Sequence, residues 1–181
     1  GGSRQGYSYL GRPWSAHGVA SLDVQHVGSD AGLWRGNPFG MVGRLQAAAQ
    51  ETEALARTAD LRFALDRMLS DDSGGLAAAV DRERLVAAGH SYGANTTLLS
   101  VGAQVERGGR AVDCLDARLR AAIVLSAPPF YGEADTAAVL RSSAVPTLHV
   151  TCTEDVIHIP GYHSGLQDRL DRRARLDPEL D

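Results

Sequence analysis

Short apolar runs alternate with longer segments of helical spacing along this 181-residue chain. The apolar runs predict strands over residues 19–24, 84–88, 121–125 and 145–152. The helical spacing predicts helices over residues 7–17, 42–69, 92–101 and 135–141, the second broken near Thr58–Asp60. Parallel strands need crossover connections and cover on both faces. The alternation therefore predicts an α/β fold, a mainly parallel sheet flanked by helices on both faces, as one domain over residues 1–181.

Composition and charge limit which kinds of molecule the protein is expected to bind. The chain is 44% hydrophobic and 22% charged, which is typical of a globular protein with a core. Its net charge of −4 provides no electrostatic attraction to nucleic acid or to an anionic membrane surface. The apolar runs are too short to span a bilayer. The chain contains no Lys, so a phosphate-binding P-loop is excluded.

Neither a disulfide nor a metal site is predicted. In a parallel sheet, Cys114 and Cys152 would lie at opposite strand ends, roughly 20 Å apart. A disulfide needs Cα atoms within about 7 Å. Asp155, His158 and His163 are potential metal ligands, but loop polarity is the simpler interpretation and no zinc-like spacing is present.

The strongest motif lies where chemistry is expected in such folds, at the carboxyl end of a strand. Residues 89–93 read Gly-His-Ser-Tyr-Gly, a G-x-S-x-G pattern between an apolar strand and a helix. The small glycines relieve crowding in a sharp, strained turn that lifts the Ser91 Oγ clear of the sheet. The helix N-terminus places the Tyr92 N–H where an oxyanion forms. The alternative is a glycine-rich turn with an idle serine, and the strand–motif–helix context favours a nucleophile.

Together with the sequence stretches around it, this motif resembles a known superfamily. The stretches are residues 1–10, 14–19, 25–30, 89–94 and 151–155. They resemble the α/β-hydrolase superfamily, in its dienelactone-hydrolase-like and platelet-activating-factor-acetylhydrolase-like branches, over nearly the whole chain. The resemblance implies the α/β-hydrolase fold, a serine esterase acting on a small-molecule carboxylic ester or lactone, and no cofactor.

A catalytic acid should follow the serine, because this fold orders its triad Ser, Asp or Glu, then His. The resemblance places the acid at Asp155, after the strand 145–152. The alternative for Asp155 is a loop-capping aspartate. Glu154 is a weaker candidate, and Glu133 and Asp135 are weaker still. Another branch carries its acid one strand earlier, but that position lies near Ser126 and holds no carboxylate.

The base is harder to assign. The six histidines are His17, His26, His90, His149, His158 and His163. Chain order excludes the four that precede Asp155. Of these, His26 could line the pocket rim or serve a plain loop role. The family pattern places a helix and a strand between acid and base, whereas His158 and His163 share one predicted loop with Asp155. The resemblance therefore implies a base beyond residue 181.

The resemblance also implies a second oxyanion donor, from a His-Gly-x-Gly-type loop whose tail is similar to Gly1-Gly2. We therefore expect a hydrolase domain that is incomplete at both ends of this sequence. Two further hypotheses remain open. One is a non-catalytic binding module or remnant of the same fold, and the other is an acyltransferase that uses the same acyl-enzyme.

Overall fold

A computed structural model describes residues 4–27, 51–107, 109–130, 133, 135–143, 145–159 and 162–164. By its internal contacts the chain divides into two compact units, Gly1–Asp81 and Arg82–Asp181. The prediction of a single domain stays a prediction. In chain order the elements of the first unit are α1 (Ser8–Ala16), α2 (Glu51–Met68), a 3₁₀ turn (Asp71–Ser73) and α3 (Leu76–Ala79).

Helix α1 confirms the helix predicted over residues 7–17. The N–H groups of His17 and Gly18 donate to the carbonyls of Trp14 and Ser15, 2.9 and 3.1 Å away. Gly18 has a φ of +76°, the left-handed conformation that commonly ends a helix. The predicted stop at Gly18 is therefore confirmed.

The strand predicted over residues 19–24 is wrong. The segment has no regular structure, and Val19 and Leu22 are about half exposed. A strand needs a neighbour for its backbone hydrogen bonds, and the described part of the chain pairs none with this segment. The segment instead passes close to α1, where a Cβ on Gly11 would lie 2.6 Å from Ser21 Oγ.

Helix α2 runs through the predicted break at Thr58–Asp60, so that part of the prediction is wrong. Thr58 Oγ1 donates to the Leu55 carbonyl, 2.8 Å away, which satisfies this hydroxyl without leaving the helix. Residues 42–50, where the same helix was predicted to begin, lie outside the described residues, as does the turn predicted at 28–30.

The second unit contains the sheet. Its elements are β1 (Leu85–His90), α4 (Tyr92–Ser100), β2 (Val105–Arg107), β3 (Arg110–Val112), β4 (Leu119–Leu125), α5 (Thr136–Leu140), β5 (Thr147–Val150), β6 (Ile157–Ile159) and β7 (Tyr162–Ser164). Strands β1, β4 and β5 form a parallel three-stranded sheet in the order β1-β4-β5. The α/β class and the mainly parallel sheet are thus confirmed, with three strands in the sheet.

The two faces of this sheet differ. Helix α4 packs against β1 and β4, on the face that carries the buried side chains of Ala87, Ala122 and Val124. The opposite face exposes Val86 and Leu148, which are 51% and 59% accessible. An open groove of about 680 Å³ lies on the sheet beside these two side chains. Helical cover is therefore confirmed on the α4 face.

Two antiparallel hairpins accompany the parallel strands: β2–β3 lies between α4 and β4 in the chain, and β6–β7 follows β5. Strands β2 and β3 pair across the glycine turn, where Gly109 has a φ of +73°. Strands β6 and β7 also pair, so the single loop predicted over residues 157–163 is wrong. Both hairpins are three residues per strand, too short for hydrophobic alternation to indicate them.

An ion pair lies in the segment just before β4, and a backbone hydrogen bond ties this segment to the end of α4. Asp116 is 8% exposed and accepts from Arg118 Nε at 2.8 Å and from Arg118 Nη2 at 2.6 Å. The Asp116 N–H donates to the Ser100 carbonyl, 2.9 Å away. The bidentate geometry and the burial distinguish this pair from the exposed pair of Glu83 with Arg120.

We expect Asp116→Ala to lower the free energy of unfolding by about 2–3 kcal/mol, because it removes the partner of a partly buried guanidinium. Glu83→Ala is the matched control, since its pair is exposed, and it should change stability by less than about 0.5 kcal/mol. Urea denaturation of both variants measures the difference. Equal losses in the two variants would contradict the structural role of Asp116.

Candidate active site

The predicted nucleophile, Ser91, is the single residue that connects β1 to α4. It lies between the last residue of β1 and the first residue of α4. Its φ of +55° and ψ of −125° are rarely adopted by residues other than glycine. Its N–H donates to the Leu125 carbonyl, 2.9 Å away, which extends the hydrogen bonding between β1 and β4 by one residue. The strained backbone expected of the motif is therefore present, and the catalytic role stays a prediction.

Close backbone packing explains the first glycine of the motif, Gly89. A Cβ on Gly89 would lie 2.1 Å from the Gly93 carbonyl oxygen and 2.7 Å from Thr97 Oγ1. Only a residue without a side chain allows α4 to approach β1 this closely. The approach forces the chain to reverse direction at Ser91.

The predicted oxyanion donor, Tyr92, is the first residue of α4. N–H groups in the first turn of a helix have no acceptor within the helix, and the helix dipole favours negative charge there. Residues 94–100 of α4 are all buried, and the polar side chains of Asn95, Thr96 and Ser100 bond within the helix or to nearby backbone. Ser100 Oγ donates to the Thr96 carbonyl at 2.9 Å, and Thr96 Oγ1 to that of Tyr92 at 3.2 Å. Because the rest of α4 is buried and hydrogen-bonded, the first turn of this helix is fixed in position.

The predicted acid, Asp155, lies close to the carboxyl end of β5. Thr151, the first residue after the strand, donates from Oγ1 to Asp155 Oδ2 over 3.0 Å. The Asp155 N–H donates to the Cys152 carbonyl at 3.3 Å, which closes a tight turn. Asp155 is half-buried, whereas the alternative acid Glu154 is exposed. The carboxylate of Asp155 is therefore the better positioned of the two.

The sheet register brings the loops of Ser91 and Asp155 to one edge. His90, Leu125 and Val150 are in register at the carboxyl ends of β1, β4 and β5. Neighbouring strands lie about 4.8 Å apart, so the ends of β1 and β5 are separated by roughly 10 Å. This separation leaves room for one bridging side chain above the end of β4.

The other carboxylates considered as acids have structural partners. Asp135 Oδ1 caps α5 by accepting from the N–H groups of Ala137 and Ala138, at 2.9 and 3.1 Å. Glu133 Oε1 accepts from the Glu106 N–H at 3.2 Å. Both carboxylates therefore have bonds that explain their presence without catalysis.

Ser126 was not singled out as functional by the sequence, yet it has the second unusual backbone conformation of this edge. It follows β4 directly and has a φ of +50°. Its N–H donates to the Val150 carbonyl, 2.8 Å away. No sequence signal indicates this conformation, because serine rarely adopts it and the hydrogen bond that accompanies it comes from another strand.

The histidines considered as bases lie in different parts of the structure. His17 is exposed at the end of α1, and His90 and His149 are half-buried in β1 and β5. His158 and His163, which follow Asp155, are directly opposite each other in the register of the β6–β7 hairpin.

His26, considered as a pocket-rim residue, bonds to helix α2. Its Nδ1 lies 2.9 Å from Asp60 Oδ2. Burial lowers the pKa of His26, and the charge of Arg57 lowers that pKa further, while Asp60 acts in the opposite sense. The ring is therefore neutral at pH 7, and since a carboxylate only accepts, Nδ1 carries the proton.

Comparisons with known proteins found no match among family models, curated proteins or solved structures.

The described residues contain no group of three His, Cys, Asp or Glu side chains arranged to hold a metal ion. Cys114 is buried, Cys152 is exposed, and both are free thiols. None of the helices in the described ranges has the length and apolar character needed to cross a bilayer.

We expect Gly89→Ala to lower the free energy of unfolding by about 3 kcal/mol, because its Cβ would collide with the backbone of Gly93. Gly109→Ala is the control: unlike Gly89, Gly109 has a positive φ, but no atom lies within 4 Å of a Cβ built on it. Only conformational strain applies there, about 1 kcal/mol. Thermal unfolding measures the loss of stability in both variants. Equal losses would show that the close approach of α4 to β1 does not contribute to stability.

Stability should fall as the pH falls below about 6.5, the pKa of histidine in the unfolded chain. The unfolded chain binds a proton at His26 before the folded chain does, because burial lowers the folded pKa. His26→Gln should reduce this slope. Asp60→Asn removes a partner that raises the pKa, and it should extend the loss to lower pH. Urea denaturation between pH 7.5 and 5 measures the slope, and an unchanged slope in His26→Gln would refute the assignment.

Proposed function

We propose that this protein is a serine hydrolase of the α/β-hydrolase fold that cleaves a carboxylic ester or lactone through an acyl-enzyme. The observation that carries the proposal is the conformation of Ser91, a non-glycine residue with positive φ between a parallel strand and a buried helix. A strained conformation costs free energy and tends to occur at functional sites. An idle serine in this turn would bear that cost without use, and glycine would relieve it.

In the proposed reaction, Ser91 Oγ attacks the carbonyl carbon of the ester while a histidine accepts the hydroxyl proton. The carbonyl oxygen becomes an oxyanion, and the Tyr92 N–H at the start of α4 donates to it. The tetrahedral intermediate expels the alcohol, which takes the proton from the histidine. Water then attacks the acyl-enzyme by the same steps, which releases the acid and restores Ser91.

Asp155 orients the histidine in this mechanism. A carboxylate that accepts from one ring nitrogen holds the tautomer in which the other nitrogen faces the serine, and it stabilises the imidazolium that forms. The bond from Thr151 Oγ1 and the turn closed at Cys152 support this role, because both fix the carboxylate. The base in this mechanism is a histidine that follows Asp155 in chain order.

A fluorophosphonate probe tests the proposal, since it labels only an activated serine. We expect the full-length protein to be labelled at Ser91, as shown by peptide mass spectrometry, and Ser91→Ala to abolish labelling. Asp155→Asn should slow labelling by about 10³–10⁴-fold, because the histidine loses its orienting carboxylate. Glu154→Gln is the matched control, since this neighbouring carboxylate is exposed, and its labelling rate should not change.

Two further variants locate the base. His158→Ala and His163→Ala should both retain labelling, because the α/β-hydrolase pattern places a helix and a strand between acid and base, whereas the β6–β7 hairpin follows Asp155 directly. Loss of labelling in either, with the fold intact by circular dichroism, would place the base in the β6–β7 hairpin. Absence of labelling at Ser91 in the full-length protein would overturn the hydrolase proposal and favour a non-catalytic binding module.

A further inference from the structure

Two backbone hydrogen bonds extend the pairing of the parallel strands just past their carboxyl ends. The Ser91 N–H donates to the Leu125 carbonyl at 2.9 Å. The N–H of the next residue along β4, Ser126, donates to the Val150 carbonyl at 2.8 Å. These bonds continue the register of β1, β4 and β5. They therefore fix the position of Ser91 relative to Val150, the last residue of β5.

A side-chain hydrogen bond continues this connection from the end of β5 to the candidate acid. Thr151 follows Val150 directly and is half-buried. Its Oγ1 lies 3.0 Å from Asp155 Oδ2, and the hydroxyl is the donor because a carboxylate has no proton to give. Thr151 thus joins the fixed end of the strand to the carboxylate.

The backbone around Asp155 restrains the main chain of this residue. The Asp155 N–H donates to the Cys152 carbonyl at 3.3 Å, and the Val156 N–H donates to the Glu154 carbonyl at 2.9 Å. Neither bond restrains the two side-chain torsions of an aspartate, of which the second is broad. The bond from Thr151 restrains both torsions, because it holds one of the carboxylate oxygens.

The residue type at position 151 suits this restraint. Threonine has two heavy atoms on its Cβ, so its first side-chain torsion has few accessible values. The Thr151 hydroxyl therefore has few directions available, and in the structure it is directed at Asp155. Hydrogen bonds from a hydroxyl to a carboxylate are also stronger than those between neutral groups.

We propose that Thr151 is a positioning residue whose hydroxyl sets the orientation of the Asp155 carboxylate relative to Ser91. This inference rests on the proposed function, in which the acid acts by geometry. A misplacement of about 1 Å in such a site costs roughly 100-fold in rate. The proposal requires the hydroxyl to act through Asp155 alone, whereas a hydroxyl that merely stabilised the loop would affect the site whether or not the carboxylate is present.

The test measures the rate at which the fluorophosphonate probe labels Ser91 in the full-length protein. Thr151→Val replaces the hydroxyl with a methyl group of similar size, and it should slow labelling by about 10-fold to 100-fold. Thr151→Ser keeps the hydroxyl and loses only the restriction on its torsion, so it should label within about threefold of the wild-type rate.

Thr147 provides the matched control on the same strand. It is half-buried at the opposite end of β5, where its Oγ1 donates to the Val145 carbonyl at 3.1 Å. Thr147→Val therefore also removes one hydrogen bond from a half-buried threonine, but it does so away from the candidate site. It should label as the wild type does. Thermal unfolding of both valine variants shows whether each is folded.

A double variant distinguishes positioning from structural support. In Asp155→Ala the carboxylate is absent, so the Thr151 hydroxyl has nothing to orient. Adding Thr151→Val to Asp155→Ala should therefore leave the labelling rate unchanged, because the two residues act as one unit. A general loss of loop structure would instead slow labelling by the same factor with and without the carboxylate.

The outcomes separate this inference from the proposed function. Wild-type labelling with an unchanged rate in Thr151→Val overturns the role of Thr151 and leaves the hydrolase proposal standing. Equal slowing by Thr151→Val with and without the Asp155 carboxylate also overturns that role, as does a Thr151→Ser variant as slow as Thr151→Val. If Thr151→Val does not fold, Thr151→Ala in the same two backgrounds decides the question. Absence of wild-type labelling overturns both proposals.

Discussion

The close contact between α4 and β1 governs the geometry of the candidate site. At Gly89 the backbone of the strand lies so near the Gly93 carbonyl that a Cβ would approach to 2.1 Å. Strand and helix packed this tightly can be joined only by a turn of one residue, and Ser91 adopts a positive φ to make it. The Ser91 N–H nevertheless finds an acceptor on β4, so the turn leaves this donor satisfied. Strain at one residue thus accompanies a well-packed junction.

A parallel register then collects polar residues that are distant in sequence. Ser91, Ser126 and Thr151 follow strands separated by crossovers of many residues, yet they become neighbours because the strands end in register. Asp155 joins them through its bond to Thr151. Helix α4 supports this edge although it buries Asn95 and several hydroxyls, because bonds within the helix and to residues 126–129 satisfy many of these groups.

The errors of the sequence-based predictions have different physical origins. The apolar pattern at residues 19–24 resembles that of a strand, but a strand exists only where a neighbour pairs with it. The break predicted near Thr58 assumed that a polar cluster interrupts a helix, whereas its hydroxyl bonds to the Leu55 carbonyl. The hairpin at residues 157–164 was predicted as a loop because its strands are too short to show alternation.

Local pattern alone determined α1 with its stop at Gly18, strands β1 and β4, helix α4, and the glycine-flanked turn at Ser91. Periodicity and steric crowding act over a few residues, so the sequence contains all the information they need. Only the tertiary structure decided the order β1-β4-β5, the positive φ of Ser126, the bond that places Asp155, and the pairing of His26 with Asp60. Most of these features depend on hydrogen bonds or register between segments far apart in the chain, which no local pattern specifies.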